Sequence, residues 1–243
     1  MKKEPMKKEP MKKERPQTIA QLDLAVSQCR ACPRLVRWRE QVAAEKRAAF
    51  ANETYWGRAV PSFGPADASM LIVGLAPAAH GGNRTGRMFT GDRSGDVLYR
   101  AMHAVGLASQ PTATHIGDGL TLNGVRIAAP VHCAPPQNKP TPAERDRCRP
   151  WLDDELRLLR PRLKSILVLG AFGWQSLLPI LAANGWEIPR PAPKFGHGAQ
   201  LDLGSITVFA SYHVSQRNTF TGLLTPTMIE DVLRNAGRHA RLL

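Results

Sequence analysis

Three observations predict an α/β protein: a three-layer α/β/α sandwich with a central four-stranded parallel sheet. Four short apolar runs, MLIVGL (70–75), VRIAAPV (125–131), SILVLG (165–170) and SITVFAS (205–211), have the length and composition of strands buried on both faces. Helical stretches separate them, so successive strands are expected to lie parallel through βαβ crossovers. At 243 residues the chain is long enough for one sizeable core. In such sheets ligands sit outside the carboxyl ends of the strands, so the loops after Leu75, Val131, Gly170 and Ser211 are where chemistry is expected.

Each remaining element has a local reason. Ile19, Leu22 and Val26 recur at helical spacing, and Thr18 offers an N-cap. Pro33 opens a second helix over 33–50, rich in strong helix formers. Gly57, Pro61, Gly64 and Pro65 mark 52–67 as an extended loop. A glycine-rich loop runs from the first strand to Gly95, and 96–105 is amphipathic and helical. A proline-rich loop through Pro142 precedes a helix over 143–159, which Pro150 is expected to kink or restart. Residues 171–183 form the helix after the third strand. A polar loop over 212–224 leads into a closing helix over 226–241.

Lysine and arginine number 33 against 20 acidic residues, a formal net charge of +13. Such a balance favours a polyanionic partner, nucleic acid ahead of an anionic membrane. Part of it lies in the opening repeat MKKEPMKKEPMKKERP, but the remainder is basic too. Proline at positions 5, 10 and 16 and methionine as the sole apolar residue exclude the repeat from a core. It is read as a disordered basic tail over 1–16, ahead of a single domain over 17–243. No apolar signal segment follows it, and no stretch reaches transmembrane length. A cytoplasmic monomer with no membrane association is expected.

The chain has four cysteines: Cys29 and Cys32 in a C-x-x-C pair, then Cys133 and Cys148. One tetrathiolate site accounts for all of them; the alternative is four unrelated buried thiols. The C-x-x-C turn ends in Pro33, and Cys148 sits among Arg145, Arg147 and Arg149, a poor setting for a lone apolar thiol. Spacing does not separate zinc from iron–sulfur. The dispersed second pair departs from zinc-ribbon knuckles and leans towards iron–sulfur. Metal-binding thiols also fit a reducing compartment.

Three loops carry candidate chemistry. GLAPAAHGGNRTGRMFTGDRSG (74–95) has glycines that let backbone approach a ligand, but neither a Walker phosphate loop nor a dinucleotide fingerprint. Near its end stand Phe89 and Asp92, readable as a ligand-facing ring and carboxylate, or as a core aromatic and a helix cap. CAPPQNKPTP (133–142) holds Asn138 and Lys139 in a proline-stiffened arch after a strand. YHVSQRNTFTG (212–222) places His213 at a strand end, ahead of side chains suited to phosphate and base contacts. His213 is readable as catalytic or as structural.

These segments resemble the family 5 uracil-DNA glycosylases, the iron–sulfur branch of that superfamily. The resemblance runs from Cys29 to the C-terminus and rests on GLAPAAHGGNRTGRMFTGD, the four cysteines, CAPPQNKPTP and SYHVSQRNTFTGLLT. It implies a [4Fe–4S] cluster on Cys29, Cys32, Cys133 and Cys148, and hydrolysis of the N-glycosidic bond of uracil and other damaged bases in DNA. By the same resemblance Asp92 orients a water, with Asn138 sharing that role, and His213 donates to the departing base. The base is held by backbone amides from Leu75 and Ala76 through Ala79 and by stacking on Phe89. Arg84, Lys139, Ser215, Gln216 and Arg217 contact DNA, and the 214–224 loop is the wedge. Two departures from the neighbouring family 4 stand out. Leu75 replaces an acid in the first motif, and Ala129 replaces an asparagine that reads the uracil edge. Loss of that amide implies broader specificity, extending to hypoxanthine and ethenocytosine. The alternative from another class is a non-catalytic iron–sulfur or zinc nucleic-acid-binding protein.

Overall fold

A computed structural model describes residues 15–243 of the chain, so most of the predicted tail lies outside the described residues. Helix α1 (Ile19–Ser27) starts at Thr18, whose hydroxyl accepts from the Gln21 amide at 3.2 Å. Pro33 opens α2 (Pro33–Glu45) directly after Cys32. That helix stops short of the expected residue 50 because Lys46 takes a left-handed conformation (φ 57°). A separate 3₁₀ turn, Ala48–Phe50, then carries the Phe50 ring to the Arg84 guanidinium, 3.9 Å from the ring centre.

Strand β1 (Met70–Val73) leads through a helical turn, α3 (Gly82–Thr85), to α4 (Arg93–Ala104). Strand β2 (Val125–Ala128) precedes α5 (Pro142–Leu159), and β3 (Ser165–Leu169) precedes α6 (Ala171–Ala183). Next come β4 (Gln200–Asp202), β5 (Thr207–Ser211), a short α7 (Gln216–Phe220) and α8 (Pro226–His239). α5 begins in a reciprocal capping box of Thr141 and Glu144 and runs unbroken through Pro150. The restart expected there does not occur.

The sheet order is β2-β1-β3-β5-β4. Its first four strands are the predicted parallel set, with Met70 opposite both Val125 and Ser165, and Ser165 opposite Thr207. The expectation of four strands is corrected to five. β4 pairs antiparallel on the β5 edge, Gln200 opposite Phe209. A three-residue strand that alternates exposed, buried, exposed has no apolar run to betray it.

Side-chain alternation divides the core into two layers. Leu71, Val73, Ile166, Val168, Val208 and Ala210 face Leu22, Leu35, Leu152 and Leu177, beneath α1, α2, α5 and α6. Met70, Ile72, Ile127, Leu167 and Phe209 face Leu98, Met102, Ile229 and Leu233 of α4 and α8. The expectation of helices on both faces holds.

A buried arginine of the sheet interrupts the first layer. Arg126 of β2 is buried and reaches Glu155 of α5, Asp23 of α1 at 2.5 Å and the Gly64 carbonyl at 2.7 Å. Ser62 donates to the other Glu155 oxygen at 2.9 Å. One guanidinium thus joins two helices, a loop and the sheet. Residues 15 and 16, read from sequence as the end of the tail, also touch α5. Arg15 pairs with Asp154 at 2.5 Å, and the Pro16 carbonyl accepts from Arg157, which docks both residues on α5.

Breaking a buried pair from one side leaves a charge uncompensated, so Glu155→Ala is expected to cost about 3–5 kcal/mol in urea unfolding. A loss below about 1 kcal/mol would show that Asp23 and water suffice for Arg126.

Candidate active site

A cavity of about 310 Å³ opens outside the carboxyl ends of β1, β2 and β5. Its wall brings together Leu75, Ala76, Phe89, Asp92, Ala129, Asn138, His213 and Ser215. All three residues with an expected catalytic role, and all four expected at the base, therefore share one site. Pro77 and Ala78 of the segment expected to hold the base, with Ser94 and Met88, complete the wall; of these only Met88 was not singled out from sequence. Its one signal was position within the same glycine-rich loop.

That loop is folded back on itself by buried arginines. The Arg84 guanidinium donates to the carbonyls of His80 (2.8 Å) and Gly91 (3.0 Å) and pairs with Glu53. Arg87 makes a two-pronged pair with Asp118 at 2.9 and 2.7 Å. Burial would raise the Asp118 carboxyl, but Arg87 and the amides of Thr114 and Leu120 more than offset it and hold the group well below the usual range. The Tyr99 hydroxyl donates to the Met88 carbonyl at 2.7 Å, pinning the residue before Phe89.

Phe89 itself is left-handed (φ 51°), a costly backbone state for an aromatic residue. Its surroundings demand glycine. A Cβ on Gly95 would lie 1.7 Å from the Phe89 carbonyl oxygen, and one on Gly74 would lie 2.8 Å from its ring. The ring stands at the cavity wall, 6.3 Å from the His213 ring and tilted 34° to it.

Asp92 satisfies both readings of the sequence at once. Its Oδ1 caps α4, accepting from the Gly95 amide at 3.0 Å, while the carboxylate lines the cavity. Oδ2 sits against Gly81, where any Cβ would be 2.0 Å away. Burial pushes the carboxyl above the usual aspartate range, against the opposing pull of the Gly95 and Ser94 amides. His213 is set by the Asn218 side chain, which donates to its carbonyl at 2.8 Å. Burial alone lowers its imidazole to about 4, so the ring is neutral at pH 7.

Asn138 is exposed on an arch in which it and Gln137 are both left-handed (φ 56° and 55°). Arg34, two residues past Cys32, pairs with Glu144 at 2.8 Å and donates to the Lys139 carbonyl at 3.2 Å. The C-x-x-C segment thereby braces the arch. Ala129 is fully buried and brings only a methyl group to the wall.

Beside the cavity lies a wider groove of about 870 Å³, lined by Arg47, Arg93, Gln216 and Arg217 among others. Gln216, Arg217 and Lys139 are exposed, as DNA contacts require, although Lys139 lies outside the lining of both hollows. Arg84 corrects the sequence expectation. It is buried and its guanidinium is committed to Glu53, His80 and Gly91, so it holds the loop instead of offering a free charge to phosphate. Arg47 and Arg93 were missed; the latter's position directly after Asp92 was the available signal.

The four cysteines are free thiols packed in the α1/α2/α5/α6 layer. Cys32 precedes α2, Cys133 follows β2 and Cys148 lies in α5. Two donors point at sulfur: Arg39 reaches Cys133 Sγ at 2.8 Å, and the His132 amide reaches Cys148 Sγ at 3.4 Å. Burial pushes the Cys133 thiol up to about 11, partly opposed by Arg39, and raises Cys32 and Cys148 as well. Among the described residues no three His, Cys, Asp or Glu side chains are gathered closely enough to hold a single metal ion.

Comparison with known proteins agrees with this geometry. Residues 61–236 match the model of the uracil DNA glycosylase superfamily. A type-5 uracil-DNA glycosylase of Mycobacterium bovis is 54% identical over 224 residues, 92% of this chain and 82% of the relative. One from Thermus thermophilus is 48% identical over 218 residues, covering 89% and 96%. A type-4 enzyme from Pyrobaculum aerophilum is 30% identical over 135 residues, 55% and 60% of the two chains. The chain belongs to the uracil-DNA glycosylase superfamily, and within it to the type-5 enzymes.

Proposed function

We propose that this protein excises uracil from DNA by hydrolysing its N-glycosidic bond, and that it accepts other deaminated or damaged bases, hypoxanthine and ethenocytosine among them. The observation that carries the reading is the single cavity joining Phe89, Asp92, Asn138 and His213 at the carboxyl end of the sheet. Uracil-DNA glycosylase activity is what the names of the type-5 relatives state. The reaction belongs to base-excision repair and leaves an abasic site.

A base inside a duplex is out of reach, so the nucleotide turns into the cavity at a cost of a few kcal/mol, least at a mismatch. Exposed cations along the groove, Arg47, Arg93 and Arg217, with Lys139 beside the arch, meet backbone phosphates. The 214–224 loop fills the space the nucleotide leaves; Phe220 and Leu223, 78% and 47% exposed, are its apolar side chains for that purpose. Phe89 stacks on the flipped base, adding about 1–3 kcal/mol without selecting one base.

When the C1′–N bond breaks, its electron pair leaves with the base and positive charge grows on the sugar. Asp92 stabilises that charge and orients a water, whose oxygen bonds C1′ while its proton passes to the carboxylate. Neutral His213 donates an N–H to the anion developing on the base. Asn138 helps hold the water. Among the described residues no lysine lines the cavity, so no Schiff-base strand cleavage is drawn.

The cysteines fit an iron–sulfur cluster. Four thiols from three segments meet in one layer, donors address two of the sulfurs, and burial disfavours thiolates unless a cation compensates them. Cys29, Cys32, Cys133 and Cys148 would hold a [4Fe–4S] group. Its contribution is mechanical, joining α2, the end of β2 and α5 where they support the Asn138 arch. No helix among the described residues is long and apolar enough to cross a membrane. We read the protein as a cytoplasmic monomer whose partner is damaged DNA.

Under single-turnover conditions Asp92→Ala is expected to slow uracil excision by about two to four orders of magnitude with DNA affinity nearly intact. Gly81→Ala, which drives a methyl into Asp92 Oδ2, is expected to cost about a hundredfold while the fold persists. A wild-type rate in folded Asp92→Ala would reduce that residue to a helix cap and defeat the scheme.

The pH dependence follows from the two shifts. Asp92 is raised, so the rate falls as pH drops through a value above the ordinary aspartate's, about 3.9. His213 is depressed to about 4, so no inflection belonging to it is expected near about 6.5. An inflection there that His213→Gln abolishes would contradict a buried neutral imidazole.

Specificity should respond to Ala129. Placing an amide there with Ala129→Asn is expected to lower hypoxanthine excision about tenfold relative to uracil, because an amide set for the uracil edge is left unpaired where the larger purine takes the cavity. An unchanged ratio of the two rates in a folded variant would remove Ala129 from the base edge.

A further inference from the structure

Arg39 of α2 is 1% exposed, yet none of the ion pairs among the described residues includes it. One terminal nitrogen donates to Cys133 Sγ at 2.8 Å, the other to the Cys29 carbonyl at 2.9 Å. Its Nε is buried with no partner. A guanidinium so placed is costly unless an anion lies against it, because desolvation of a charge far exceeds what two neutral acceptors return. Arg126, also buried, shows the ordinary solution, with Glu155 and Asp23. Arg39 has one thiol and a carbonyl where Arg126 has carboxylates.

We infer that Arg39 is the built-in counter-charge of the cysteine site, a positioning residue that balances the net negative charge of a thiolate-ligated cluster and fixes the orientation of Cys133. The inference rests on the cluster reading above. It gives α2 a second role. The helix that follows the C-x-x-C pair returns, nearly two turns on, a cation to the third ligand and to the carbonyl of the first. Cys133 comes from the far side of the chain, so this contact closes the site across a separation of 94 residues. Replacement by a residue of similar volume and no charge tells compensation from packing. With no anion beside it, a buried unpaired arginine is a burden, and methionine in its place should stabilise the fold. With the cluster as its anion, the same change weakens metal retention.

The test compares anaerobically purified wild-type protein with Arg39→Met, Arg39→Lys and Arg39→Gln. The readouts are iron and acid-labile sulfide per chain, the rate at which an iron chelator bleaches the visible absorbance, and the urea midpoint. Arg39→Met is expected to bleach about ten to a hundred times faster than wild type and to unfold at lower urea, the usual effect of removing a group that supports a metal ligand. Arg39→Lys, which keeps the charge, should fall between. Iron-loaded Arg39→Met with wild-type bleaching and an equal or higher midpoint would overturn the assignment and leave the cluster standing. Wild-type protein free of iron and sulfide would overturn the cluster reading and this inference with it. If Arg39→Met does not fold, the remaining pair decides: Arg39→Lys outlasting Arg39→Gln about tenfold supports the counter-charge, and equal lifetimes refute it.

Discussion

The site depends on one steric constraint: the 74–95 loop must return to the end of β1 with almost no space between its own backbone and the side chains it delivers. Phe89 and Asp92 reach the cavity because Gly74, Gly95 and Gly81 carry no Cβ where one would strike them. The left-handed backbone at Phe89 is strained, and what sustains it lies outside the cavity. Arg84 ties the loop to Glu53, Arg87 ties it to Asp118, and Tyr99 holds the Met88 carbonyl. Buried charge is thus used here to fix a conformation, while the groove beside it keeps its arginines exposed.

The electrostatics of the cavity follow from the same burial. Removing water raises Asp92 and depresses His213, giving a carboxylate of increased basicity opposite a neutral donor. This division of roles suits a reaction that builds positive charge on a sugar and negative charge on a leaving base. The second support comes from the cysteine layer. Arg34 joins the helix after Cys32 to the arch bearing Asn138, so the thiol site and that arch share one structural member.

Much of this was legible in the sequence because parallel strands buried on both faces cannot avoid continuous apolar runs. The four runs gave the parallel set in order, and the loops after three of them contained the site. What escaped had a physical reason in each case. β4 is three residues of alternating exposure, and α3 and α7 are single turns in polar or glycine-rich segments. Pro150 was expected to kink or restart α5, and the helix does not restart there. Arg84 looked like a phosphate contact because sequence carries no sign that its partner is Glu53, 31 residues away. Asp92 posed a false choice between cap and cavity residue; one oxygen caps and the carboxylate still faces the cavity. Similarity of motif supplied the roles, and geometry supplied their convergence.

The most direct test of the account is to incubate the wild-type protein with a duplex containing a single uracil, then resolve the strands before and after alkali. Hydrolysis by an oriented water predicts free uracil, an intact strand before alkali and a single break at the uracil position afterwards. DNA that is bound but yields no alkali-labile site would leave a nucleic-acid-binding protein without catalysis, and a break before alkali would require a lysine nucleophile, which none of the described residues lining the cavity supplies.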